Sequence, residues 1–187
     1  MVMSEPLLAL RAEHKLLILL IGAVNGRIPS KLHVHKELFV LTRIFPKLNS
    51  LLELEAYRKG PFSRTVQDAL EDLVERGYVI NIKGGYMLSQ LGKEAYSRIV
   101  EKLGQKRLLD VIRRIREMYD KLDVDELLLI IYATYPEYTI ESEELRRISS
   151  RADEIIERLF RKGYITERRK RELYEKIKQY KTDLGKT

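Results

Sequence analysis

The sequence predicts a mainly α protein with a small β-wing, a winged helix-turn-helix followed by a helical C-terminal domain. Three observations within Val66–Leu91 carry that reading. An amphipathic helix ends at Gly77, a β-rich run follows it, and a Gly84-Gly85 reversal leads into a second short strand and another helix. Isolated two-stranded hairpins are marginal in water, so this one requires helices to lean on.

Each element has a local cause. Leu7–Val24 is strongly apolar, with Ser4 and Pro6 marking its start and Asn25-Gly26 its end. The run Leu16–Ile21 is too short to cross a bilayer and reads as a buried core helix. Ser30 caps a second helix that runs to Ile44 and stops at Pro46. Leu48–Tyr57 fits a short helix or a strand, and Gly60-Pro61 forces a turn. Ser63 then caps a third helix, in which Val66, Leu70, Leu73 and Val74 form one apolar stripe. Gly77 suits the left-handed residue just past that helix. Tyr78, Val79, Ile80 and Ile82 suit a half-buried strand, and Tyr86-Met87-Leu88 its return partner.

Several of these residues form a recurring pattern: Lys31-Leu32 before the apolar helix Leu38–Ile44, then Tyr57-Arg58-Lys59-Gly60-Pro61-Phe62-Ser63, then Leu70–Gly77. This stretch resembles the YwgA and SocA-like (Panacea) family over about residues 30–80. Two departures are visible, since Lys59 replaces an aromatic before Gly60 and His33-Val34-His35 interrupts the first motif. The resemblance implies a small prokaryotic protein, in some cases an antitoxin or proteolytic adaptor acting through protein contacts.

Downstream, helices are expected from about Gln90 to Leu103 and from Lys106 to Leu122. In the second, Leu108, Ile112, Ile115, Tyr119 and Leu122 alternate spacings of four and three, the seam of a short coiled coil. It either pairs two subunits as a homodimer or packs on its own chain. Arg113, Arg114 and Arg116 on this helix read as exposed, either DNA contacts or solvated surface. Asp123 with Glu126 starts the next helix as a capping box, and Pro136 ends it. Ser142 begins another, and Ala152–Lys162 closes at Gly163. Thr166 caps the last, whose apolar stripe is Leu173 and Ile177. The expected organisation is a winged domain over 1–100, a connecting or dimerisation helix over 101–122, and a helical domain over 123–187. Residues 70–80 and 156–166 echo each other, either as a second, wingless helix-turn-helix or as two helices sharing one stop signal.

Composition narrows the function. The chain has no cysteine, which excludes disulfides, thiolate metal sites and a cysteine nucleophile. Charged residues make up 34%. With only three Asn and four Gln, that bias fits a thermophile's cytoplasm. His33 and His35, two apart on a helix, point to different faces and make no two-ligand metal grip. No phosphate loop, dinucleotide fingerprint or nucleophile elbow is present, so no enzyme and no cofactor is expected.

The net charge of +7 is concentrated at one end, where residues 161–187 carry ten Lys/Arg against four Asp/Glu. Double-stranded DNA is therefore the expected partner, met by Ser63, Arg64, Thr65 and Gln67 in the third helix's first turn and Lys83 at the wing. The tail cluster Arg168-Arg169-Lys170-Arg171 would add phosphate contacts. Against this, Asp68, Glu71, Asp72 and Glu75 give the rest of that helix an acidic face. That face fits the alternative, a protein-interaction module with a basic partner.

Overall fold

A computed structural model describes residues 10–55, 61–104, 106–138 and 144–184. Ser4, Pro6, Leu7, Tyr57–Gly60 and Ser142 lie outside the described residues, as does most of the motif around Lys59.

The chain divides into two units. Unit 1 comprises Met1–Leu54 and Ser63–Lys121. Its elements are α1 (Ala12–Gly22), β1 (Arg27–Ile28), α2 (Lys31–Ile44), a 3-10 turn (Pro46–Leu48), α3 (Asn49–Leu52) and α4 (Arg64–Glu75). They continue as β2 (Val79–Ile82), β3 (Gly85–Leu88), α5 (Gln90–Lys102) and α6 (Lys106–Tyr119). Unit 2 comprises Glu55–Phe62 and Leu122–Thr187, with α7 (Val124–Thr134), a 3-10 turn (Pro136–Tyr138), α8 (Glu144–Ser150), α9 (Ala152–Arg161) and α10 (Glu167–Leu184). The protein is thus mainly helical, with one small antiparallel sheet that forms a β-wing.

α1 is the centre of unit 1. Leu16–Ile21 are all buried, and the helix touches α4, α5, α6 and β3, so it has no polar face to spare. Ser30 accepts a hydrogen bond from His33 N at the start of α2, and Ser63 does the same for Val66 N at the start of α4. After α4, Gly77 takes φ +74°, and Tyr78 N bonds back to Leu73 O, the closure of a left-handed helix end. Gly163 repeats that closure after α9 at φ +73°, with Tyr164 N on Leu159 O. No strand follows there; α10 does. The echo between residues 70–80 and 156–166 is therefore, at the least, a shared stop signal.

The sheet differs from the sequence expectation in two ways. Its order is β1-β3-β2, and β1, only two residues long, was not expected at all. Alternation cannot be read from two residues, whereas Arg27 opposite Met87 and Ile28 opposite Tyr86 pair it plainly in space. The reversal is also shifted by one residue. Lys83-Gly84 make the turn, with Gly84 at φ +83°, while Gly85 already belongs to β3 opposite Ile82. Gly85 is required for closeness: a Cβ there would collide with the Ile28 and Pro29 carbonyls. Gly85→Ala is expected to cost about 1–3 kcal/mol, read as a lower urea midpoint for unit 1.

The coiled-coil seam is used within the chain. Ile112 and Ile115 are buried, Leu108 and Tyr119 half-buried, and α6 packs on α1 and α2 of its own unit. Leu122 is buried as well. Ile112 and Ile115 thus pack into the core of unit 1, while Leu108 and Tyr119 keep part of their surface exposed. Arg116, expected on the surface, is 0% exposed. Its guanidinium donates to the carbonyls of Leu20, Ile21 and Arg27 and to both carboxylate oxygens of Asp120. Its Nε also lies 3.3 Å from Glu37 Oε2. The end of α1, β1, α2 and α6 are thereby tied to one side chain.

In unit 2, Asp123 and Glu126 form the expected capping box at the start of α7, with both reciprocal bonds at 2.9 Å. The same end collects an ion-pair network. Asp125 meets Arg147 and Arg151, and buried Glu126 meets Arg158 and Lys162. Burial opposes ionisation of Glu126, but the hydrogen bonds from Lys162 and Arg158 outweigh it and hold the carboxyl below its usual range. Leu173 and Ile177 of α10 are buried, as expected of its apolar stripe. Among the described residues no helix is long and apolar enough to cross a membrane.

Candidate nucleic-acid interface

The first turn of α4 is built from below by α2. His35 Nδ1 accepts from Ser63 N at 3.4 Å, and the Ser63 hydroxyl donates to Leu52 O while capping Val66 N. Ser63 is consequently buried and is not a DNA contact, which corrects the sequence expectation. A hydroxyl that caps a helix and donates to a carbonyl beneath it, with no surface exposed, has no access to a ligand.

The remaining side chains of that turn are exposed to varying degrees but already have partners. Arg64, 80% exposed, pairs with Asp68 at 3.0 Å. The Thr65 hydroxyl donates to Glu53 at 2.5 Å, and the Gln67 amide donates to Glu71 at 2.8 Å. Exposed surface pairs of this kind are worth about 0–1 kcal/mol, so they can be exchanged for other contacts. Beyond the first turn, Asp68, Glu71 and Glu75 are exposed, and Asp72 holds His14 and Arg76 at 3.0 and 3.2 Å. This length of α4 repels phosphate.

The wing presents the opposite sign. Lys83 is exposed at its tip and lines one hollow with Arg27 of β1, Asn25 and Pro29. Asn25 (φ +51°) and Gly26 (φ +62°) turn the chain so that β1 lies beside β3, and this brings Arg27 to the wing. Arg27 was missed in the sequence because its position depends on the unrecognised strand. Asp120 is the one acid in this hollow, and it is already bound by Arg116.

Between α4 and the wing lies a second recess, lined by Leu70, Glu71, Val74, Glu75, Asn81 and Tyr86. Burial, and after it the nearby Glu71 carboxylate, raises the Tyr86 hydroxyl pKa. Ile80 on β2 stands 43% exposed.

In unit 2 the basic run splits. Lys170 reaches Glu157 at 2.7 Å and sits 4.5 Å from the Phe160 ring centre. Arg169 binds Glu172 and the Thr134 hydroxyl. Those two cations hold α10 onto its own unit, leaving Arg168 and Arg171 turned outward, Arg168 with Glu172 at 3.2 Å. The signal was present in the sequence, since Glu172 stands three and four residues after these arginines.

The three histidines are structural. His14 Nδ1 accepts from Arg11 N, and its Nε2 lies 3.0 Å from Asp72. His33 Nδ1 pairs with the Ser30 hydroxyl at 2.8 Å, and His35 underlies Ser63.

Comparison with known proteins gives little more. No family model matches the chain. It is 28% identical over 94 residues to reverse gyrase 2 of Aquifex aeolicus, a stretch that is half of this chain but 8% of that protein.

Proposed function

We propose that unit 1 is a winged-helix module that binds duplex DNA as part of a regulator, leading with the wing. The observation that carries this is the pairing of Lys83 and Arg27 in one hollow at the wing, beside a helix whose exposed face beyond its first turn is acidic. Phosphate contacts position such a module, while Arg64 and Gln67 remain within reach of base edges once their surface partners are exchanged.

A salt series on a random duplex tests this. Each phosphate contact contributes about −0.9 to the slope of log K against log salt. The Arg27→Ala/Lys83→Ala pair is expected to flatten that slope by about two contacts. Arg168→Ala with Arg171→Ala measures the share of the tail without removing the buried stripe of α10. No detectable binding by the full chain at low salt would end the DNA reading.

One observation favours a second reading, the family-like protein adaptor. The recess that Glu71 and Glu75 line together with Leu70, Val74 and Tyr86 suits a basic, partly apolar peptide. Glu71→Lys/Glu75→Lys should strengthen binding to DNA and weaken such a peptide. These two positions are preferable to Asp72, which holds His14 and Arg76 in place.

A further inference from the structure

A cavity of about 680 Å³ lies away from the wing interface, within unit 1. That volume falls in the range of small-molecule sites, roughly 300–1,000 Å³. Its floor is apolar, formed by Leu16 and Leu19 of α1 and Ile99 of α5 among others. Its rim carries Lys15, Arg98 and Lys102, and no carboxylate lines it among the described residues. Lys15 and Lys102 make no ion pair among the described residues.

We propose that this groove binds a monomeric single-chain amphiphile with an anionic head, of the fatty-acid carboxylate class. The chemistry follows from the lining. An apolar body gains by covering leucine and isoleucine surface, and a carboxylate gains by meeting cations that have no other partner. A neutral apolar ligand would leave Lys15 and Lys102 without a counter-charge. A short, highly charged metabolite would leave the apolar floor wet. A volume of about 680 Å³ is on the scale of one such molecule. The site is independent of the DNA reading, since none of its lining residues belongs to α4 or to the wing.

Calorimetric titration of the full chain with decanoate, below its micelle concentration, tests the proposal. Saturable one-to-one binding is expected, with 1-decanol about tenfold weaker. Lys15→Ala/Lys102→Ala should weaken decanoate by about tenfold while leaving the melting temperature unchanged, because both side chains are exposed. Leu51→Trp, at a half-buried lining position, should block binding, and its melting curve reports whether the fold is kept. Absence of binding to the full chain, equal affinity for decanoate and decanol, or indifference to the lysine changes would each overturn the proposal. Capture by anionic vesicles without decanoate binding would overturn it as well, by showing a surface and not a pocket.

Discussion

Arg116→Ala is expected to destabilise unit 1 by about 3–5 kcal/mol, the cost of breaking a buried charge network by removing one partner. Urea unfolding followed by circular dichroism reads it directly. The guanidinium reaches the Leu20, Ile21 and Arg27 carbonyls and Asp120 together, so its loss strands several acceptors at once. Glu37 makes the case sharper. Burial raises its carboxyl pKa more than the Arg116 guanidinium lowers it, and Asp120 beside it adds to the rise, so the neutral acid persists to higher pH than in a free glutamate. A raised carboxyl contributes stability that is complete at low pH and is lost as pH climbs through the folded-state value. Glu37→Gln, which mimics the neutral acid, should therefore be tolerated within about 1 kcal/mol and should abolish the alkaline decline. If Arg116→Ala were no worse than Glu37→Gln, the hub would not be holding these elements together.

Acid should attack a different point, with an effect of similar size. Burial first, then the positive charges of Lys36 and Lys31, push the His35 pKa from 6.5 down to about 3. A histidine kept neutral in the fold contributes stability that is fully present above its unfolded value and is lost as pH falls below it. The loss between pH 6.5 and 3 is expected at about 1.4 kcal/mol per unit. His35 underlies the cap of α4, so a charge there should also release the helix that faces the proposed DNA site. The measurement is the unfolding free energy against pH for the native chain and for His35→Asn, which does not titrate. Restricting the comparison to pH 6.5–4.5 keeps the carboxylate pairs of unit 2 ionised. Superimposable profiles for the two proteins would refute the assignment.

Periodicity and caps made much of the architecture legible in advance. Ser30, Ser63, Asp123 and Thr166 announce helix starts, because a side chain that accepts from an amide three residues on needs no tertiary help. Gly77 and Gly163 announce helix ends through a backbone conformation that other residues resist. Apolar stripes likewise marked α4 and α10 and the face of α6 that is buried. They did not say against what. Ile112 and Ile115 are equally apolar whether they meet a second subunit or their own α1 and α2, and only the packed chain decides.

Polar residues were the least legible, for a related reason. Arg116 looks like Arg113 and Arg114 in sequence, yet it alone of the three turns inward, because carbonyls and an acid from three distant segments converge there. Ser63 looked like a surface contact and proved to be a buried cap. Lys170 looked like a phosphate ligand and proved to be paired with Glu157. Arg27 looked like nothing and stands at the wing. Local chemistry, a cap, a stop or a stripe, is a property of a few neighbouring residues, and the sequence alone determined it here. Which side chains face outward, and which cations keep their charge free for a partner, depends on segments far apart in the chain. Only the tertiary structure decided that, because charge and hydrogen bonding are settled by whatever lies within a few ångströms.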